Sequence, residues 1–128
     1  MGSLKTICIV DDSVAMRKSG EALIKGSGLE VVTASDGYEG MQVILQEMPD
    51  ACLIDIEMPD LNGLQLTTIL KSNPATCAIP IAILSSHSSE FDKQRGLLAG
   101  ADFYLTKPFS KDTINSAISQ FRELLSDD

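Results

Sequence analysis

Thr6-Ile7-Cys8-Ile9-Val10-Asp11-Asp12-Ser13 decides how this chain is read. An apolar run of strand length closes on two adjacent carboxylates and a residue suited to cap a helix. The same device recurs twice: Ala51-Cys52-Leu53-Ile54 ends in Asp55, and Phe103-Tyr104-Leu105 leads into Lys107-Pro108. If the three runs are parallel strands, their carboxyl ends share one edge of one sheet, and three acids and a lysine meet there. In open α/β sheets the ligand crevice lies at that edge, where strand order reverses.

Outward from these signals, strand-like and helix-like segments alternate. Strands are predicted over 6–10, 30–34, 51–55, 80–85 and 102–106, and the first, third and fourth are almost continuously apolar, as strands covered on both faces are. The first helix carries Met16, Gly20, Leu23 and Ile24 on its inner stripe, with Ser13 as cap and Gly26 or Gly28 as stop. The second opens on Asp36 and Glu39, a capping-box-like pair, and repeats Met41, Ile44, Leu45 and Met48 before Pro49. The third holds Leu66, Ile69 and Leu70 and stops near Asn73-Pro74. The fifth is capped by Ser110 and aligns Ile114, Ala117, Ile118, Phe121, Leu124 and Leu125.

The fourth helix, over 88–99, has the poorest local signal. Two serines stand in its first turn, Gly96 inside it costs about 1 kcal/mol relative to alanine, and its apolar content is mainly Phe91, Leu97 and Leu98. Such a helix is expected to shift cheaply. Five βα units with right-handed crossovers imply an α/β fold with a doubly wound five-stranded parallel sheet. Strand order 2-1-3-4-5 sets the first strand beside the third and makes Asp11, Asp12 and Asp55 neighbours.

With 128 residues, 44% of them hydrophobic, the chain suits one compact domain over 1–128. A net charge of -8, from 18 acids against 10 bases, repels a phosphate backbone and favours a protein partner or a cation over nucleic acid. Of three cysteines, Cys8 and Cys52 lie inside apolar runs and read as buried hydrophobes in a reducing cytosol. No apolar stretch reaches the roughly 18 residues of a membrane span, and no charged-then-apolar leader precedes the first strand. The expectation is a soluble, cytoplasmic protein without membrane insertion. Residues 1–6 fit an N-myristoylation pattern on Gly2, but Thr6 opens the first strand and the pattern is set aside.

Two carboxylates about 4 Å apart repel by about 4 kcal/mol at an effective dielectric of roughly 20, and here three converge. A cation must sit among them. Magnesium prefers carboxylate and carbonyl oxygens, keeps several waters and shares its shell with phosphate. Lys107 adds a positive charge able to reach a phosphoryl oxygen. Asp11 and Asp12 are adjacent and suited to hold a cation. Asp55 stands alone, which makes it the candidate nucleophile for an aspartyl phosphate.

Val10-Asp11-Asp12-Ser13, Asp55-Ile56-Glu57-Met58-Pro59-Asp60-Leu61-Asn62-Gly63, Leu84-Ser85-Ser86 and Gly100-Ala101-Asp102-Phe103-Tyr104-Leu105-Thr106-Lys107-Pro108-Phe109 together resemble the receiver domain of two-component response regulators, in order and spacing over nearly the whole chain. The resemblance implies a flavodoxin-like fold and a single receiver domain without an output domain, monomeric or weakly dimeric. It implies that Asp55 takes a phosphoryl group from a histidine kinase or phosphotransfer protein. Asp11, Asp12 and Asp55 would hold Mg2+ together with the backbone carbonyl of Glu57. Ser85 would move its hydroxyl to the phosphoryl group, Tyr104 would turn with it, and Lys107 would pair with the phosphoryl oxygens across a cis bond to Pro108. Glu57 and His87, at variable positions of the family, would tune phosphoryl lifetime, and a contact between them is expected. The chain would be no enzyme beyond self-phosphorylation and slow autodephosphorylation, and would signal through a surface of helix four, strand five and helix five to a downstream protein target. A finer similarity, through Leu84-Ser85-Ser86, Phe91-Asp92, Arg95-Gly96 and 104–112, is to stand-alone receivers of chemotaxis-like pathways that control type IV pilus twitching motility.

Each residue also has a plainer reading. Asp11 and Asp12 would favour the first helix's positive end by about 0.3 to 1 kcal/mol. Asp55 would be a strand-end acid, Lys107-Pro108 a turn, Ser85 and Ser86 loop residues, Tyr104 a strand residue and His87 a solvated side chain. The joint pattern outweighs these readings for Asp11, Asp12, Asp55 and Lys107-Pro108, the spacing of three before Lys107 tips Tyr104, Ser85 rests on the resemblance, and for His87 the solvated reading stays the favoured one. Rival functions are a metal-dependent aspartyl phosphohydrolase, with Glu57 as acid two residues after the nucleophile, a flavin carrier, and an unphosphorylated receiver-like adaptor. The first lacks a cap domain and the expected pattern after the first strand. The second needs a hydroxyl- and glycine-rich loop where Asp11 and Asp12 stand.

Overall fold

Five polar side chains start five helices. In the computed structural model, which describes residues 3–126, Ser13 accepts from the Met16 amide at 3.2 Å, Asp36 from Glu39 at 2.8 Å, Asn62 from Gln65 at 2.9 Å, Ser89 from Asp92 at 3.1 Å and Ser110 from Thr113 at 3.0 Å. Each bond satisfies an amide that the first turn leaves without a partner. The helices are α1 (Val14–Gly26), α2 (Gly37–Glu47), α3 (Gly63–Ser72), α4 (Glu90–Leu98) and α5 (Lys111–Ser126), and they alternate with β1 (Thr6–Val10), β2 (Glu30–Ala34), β3 (Ala51–Asp55), β4 (Ile81–Ser85) and β5 (Phe103–Thr106). Gly2 of the lipidation pattern lies outside the described residues.

All strand pairs are parallel and the sheet order is β2-β1-β3-β4-β5, the expected order and one of the few that right-handed crossovers allow. The three central strands β1, β3 and β4 are buried on both faces, which is why they read as unbroken apolar runs. On one face Ile7, Ile9, Leu53 and Leu84 pack with Ile24 of α1 and Ile114, Ala117 and Phe121 of α5. On the other, Val10, Ile54, Ile81 and Ile83 pack with Ile44 of α2 and Leu66 and Leu70 of α3. Cys8 and Cys52 are free, fully buried register partners, while Cys77 is exposed.

The helix faces differ from the predicted ones in detail. On α2 the buried residues are Gly37, Gly40 and Ile44, whereas Leu45 and Met48 are exposed. A Cβ on Gly40 would stand 2.9 Å from Val10 Cγ1, so α2 lies close on β1 with its glycines innermost and turns Leu45 outward. Met48 is the C-cap, in the left-handed region at φ 46°. Glu39 reaches past Asp36 to the Ser35 amide at 2.6 Å, so the reciprocal capping box belongs instead to Asn62 and Gln65 at the start of α3. Ile69 and Leu124 also face solvent. On α4 only Gly96 is buried, with Phe91 72% and Leu98 85% exposed.

A candidate phosphoryl and metal site at the strand ends

The register builds the site directly. Val10 pairs with Ile54, so Asp11, one residue on, comes level with Asp55, while Asp55 pairs with Leu84 and Ser85 with Thr106. Asp11, Asp55, Ser85 and Lys107 thus leave four neighbouring strands at one edge. Asp11, Asp12 and Asp55 each offer a carboxylate oxygen within 4.8 Å of the others.

Asp11 is tightly oriented. Its Oδ1 accepts from the Ser13 amide at 2.9 Å, and Arg17 Nη1 donates to its backbone carbonyl at 2.6 Å. Asp55 is held from behind, because Gly63 packs on its carbonyl: a Cβ there would come within 2.2 Å of Asp55 O. No larger residue fits that position. Asp12 is exposed, whereas Asp11 and Asp55 are only 1% and 2% exposed. Lys107, whose amide donates to the Ser85 carbonyl at 2.8 Å, places Nζ 2.9 Å from Asp55 Oδ1 and 3.6 Å from Asp11 Oδ2. Those two buried oxygens have no hydrogen bond of acceptable geometry, so the lysine contact is one of charge. The Lys107-Pro108 bond is cis.

The electrostatics follow from that crowding. Burial pushes the Asp55 carboxyl up to about 6; the Lys107 contact opposes the rise and the Asp11 carboxylate adds to it. Lys107 moves in the direction of a favourable pair: burial lowers its ammonium, but Asp55 and then Asp11 lift it above the ordinary value. The partners disagree because one lysine faces two buried acids, and it cannot neutralise both. Two orphaned buried carboxylate oxygens and an exposed third acid form a hard-oxygen donor set, which suits magnesium rather than a soft metal.

Beside the carboxylates lies a second network that the sequence did not disclose. Ser85, fully buried at the end of β4, donates its hydroxyl to Glu57 Oε2 at 2.8 Å, and Ser86 donates to Glu57 Oε1 at 3.1 Å. The His87 amide donates to Ser85 Oγ at 3.1 Å, and the Tyr104 hydroxyl donates to the His87 carbonyl at 2.5 Å. Burial would raise the Glu57 carboxyl, but the Ser85 and Ser86 bonds, with Lys107 nearby, hold it below the usual value. The Tyr104 phenol is raised, chiefly by burial. A cavity of about 220 Å³ adjoins this network, lined by Glu57, Leu64, Ser85, His87, Arg95 and Tyr104 among others.

The structure therefore brings Asp11, Asp12, Asp55 and Lys107 into one cluster and Glu57, Ser85 and Tyr104 into another beside it. The expected Glu57–His87 contact is replaced. Glu57 spends both oxygens on Ser85 and Ser86, no Glu57–His87 ion pair occurs among the described residues, and His87 joins through its backbone with its side chain exposed. An acid two residues after Asp55 and consecutive serines after β4 were the signal for this network. It needed the loop conformations to become readable.

The response regulator receiver domain family matches residues 7–119. PilG of Pseudomonas aeruginosa is 40% identical over 112 residues, 88% of this chain and 83% of that protein. PilH of the same organism is 40% identical over 113 residues, 88% of this chain and 93% of that protein. The gliding motility regulatory protein of Myxococcus xanthus is 46% identical over 101 residues, 79% of this chain but 13% of its own length. Among solved structures, the chemotaxis protein CheY4 of Vibrio cholerae superposes with a TM-score of 0.87 at 27% identity, over 93% of this chain and 99% of that one. Strand order, strand-end acids and relatives agree, and the chain belongs to the response regulator receiver domain family.

Proposed function

We propose that Asp55 accepts a phosphoryl group from a histidine kinase or phosphotransfer protein and that the modified domain signals by binding a protein. The observation that carries this reading is the pair of buried, hydrogen-bond-orphaned oxygens on Asp11 and Asp55 facing Lys107. Asp11, Asp12 and Asp55, with the Glu57 backbone carbonyl, are the groups suited to hold magnesium, which when bound neutralises carboxylate and phosphoryl charge. A carboxyl pushed up to about 6 is mostly ionised at neutral pH, so Asp55 is available as nucleophile. Its oxygen bonds to phosphorus as the donor's phosphorus–nitrogen bond breaks, and the imidazole leaves. Lys107 pairs with the transferred phosphoryl oxygens, Ser85 supplies a hydroxyl, and Tyr104 and Pro108 belong to the segment that responds. The readout surface is α4, β5 and α5.

The 1–128 chain acts in this reading as one receiver domain, its chemistry limited to its own phosphorylation and dephosphorylation. The similarity to PilG and PilH, which it spans almost fully, and the receiver motifs noted in its sequence support a chemotaxis-like pathway for type IV pilus motility. The proposed role is a cytoplasmic one; among the described residues no helix is long and apolar enough to cross a membrane. Incubation with acetyl phosphate, with and without magnesium, and intact-mass measurement test the core claim. A single phosphoryl adduct that needs magnesium and vanishes in Asp55→Asn is expected. An adduct in that variant, or in chelator, would refute it.

A further inference from the structure

We propose that the Glu57 side chain is a positioning residue that latches the resting state: it holds the Ser85 hydroxyl and Ser86 so that phosphorylation of Asp55 must draw the single Ser85 proton away from it. This rests on Asp55 being the phosphoacceptor. A serine hydroxyl has one donor proton. In the structure that proton points to Glu57 Oε2 at 2.8 Å, while Ser85 Oγ accepts from the His87 amide at 3.1 Å. Ser85 is fully buried, and its hydroxyl finds both of its partners within the protein, Glu57 as acceptor and the His87 amide as donor. Donation to Glu57 and donation to a phosphoryl oxygen are therefore mutually exclusive. Ser86 donates to the other carboxylate oxygen at 3.1 Å, which makes the hold two-pronged and fixes the turn after β4.

The latch reaches the readout surface through two further contacts. The Tyr104 hydroxyl donates to the carbonyl of the same His87 whose amide binds Ser85. The Tyr104 ring lies on Gly96 of α4, where a Cβ would stand 2.9 Å from Tyr104 Cδ2. Glu57, Ser85, the His87 backbone, Tyr104 and α4 are thus one continuous chain of contacts, and Glu57 holds it in the resting arrangement. A phosphoryl group carrying about -1.5 to -2 charge also repels this carboxylate, so geometry and charge must be separated.

Three variants separate them, with beryllofluoride plus magnesium as the phosphoryl analogue and its dissociation constant as readout. Glu57→Asp keeps the charge on a side chain one carbon shorter, which cannot reach Ser85. Glu57→Gln keeps the reach and an accepting carbonyl without charge. The latch predicts that Glu57→Asp and Glu57→Ala bind beryllofluoride about tenfold more tightly, the size expected of one hydrogen bond to a charged, partly exposed acceptor. Glu57→Gln should stay nearer the parent, and Glu57→Asp should change nothing when made in Ser85→Ala. In metal-free protein the His87 amide should exchange with deuterium several-fold faster in Glu57→Asp. Equal tightening in Ala and Gln with an unchanged Asp variant would mean bare charge repulsion and overturn the latch, as would unaltered His87 exchange. A parent protein that does not bind beryllofluoride would count against the phosphoacceptor reading instead, and the metal-free exchange would still decide the latch.

Discussion

Asp12 is the one member of the acidic cluster that water reaches, and this sets its expected behaviour apart from its neighbours. Removing its carboxylate lowers repulsion in the metal-free cluster while deleting one of the proposed hard-oxygen ligands. Asp12→Ala should therefore weaken magnesium binding by at least about tenfold, and its metal-free melting temperature should match or exceed the parent's. Calorimetric titration and thermal unfolding in chelator check the two halves; undiminished metal affinity would remove Asp12 from the ligand set. Asp11, Asp12, Asp55 and Lys107 were legible from sequence because parallel strands convert positions far apart in the chain into one edge, and register does the rest. Glu57 was legible only as an acid at a suggestive offset. Which donors it would meet depends on the loops after β3 and β4, whose backbones carry no periodic signal. The constraint on Gly63 was hidden for a related reason, since it arises from contact with a carbonyl rather than with any side chain.

At the scale of elements, strands were more legible in the sequence than helix faces. Strands buried on both faces are nearly continuous apolar runs, closed in β3 and β4 by the buried Asp55 and Ser85, so their boundaries agree with the structure to within a residue or so. A helix stripe is ambiguous by one position either way, and α2 resolved that ambiguity by burying glycines instead of Leu45 and Met48. Gly96 shows what a helix-interior glycine can do. Its propensity penalty of about 1 kcal/mol relative to alanine is offset by a seat for the Tyr104 ring, the principal packing that holds the otherwise exposed α4. Gly96→Ala should forfeit that seat: the ring shifts, the bond from its hydroxyl to His87 weakens, and no stabilisation from the better helix former is gained. Tyr104 ring signals by NMR, together with urea unfolding, measure this. A variant about 1 kcal/mol more stable with unmoved ring signals would show that the contact is soft.

The molecule as a whole keeps a site that opposes its folding, in a chain already carrying a net charge of -8. Asp55 has an ordinary value of 3.8 and, chiefly through burial, about 6 in the folded protein. Between those values the folded state binds more protons than the unfolded one, so stability falls as pH rises. The contribution is fully present below pH 3.8 and lost as pH passes through about 6. A gap of about two units corresponds to at most about 3 kcal/mol. Glu57, held below its usual value, acts in the opposite direction, but it is common to parent and variant and drops out of their difference to first order. Metal-free Asp55→Asn should therefore be close to the parent near pH 4 and more stable than it by about 1 to 3 kcal/mol at pH 7. Magnesium, binding only the folded state, should then restore more stability to the parent than to the variant at pH 7. Urea unfolding of both proteins in chelator across pH 4 to 7, repeated at pH 7 with magnesium, is the measurement. A stability difference that does not change with pH would mean that the buried carboxylate of Asp55 carries no folding penalty, and that the site is neutralised by its own lysine after all.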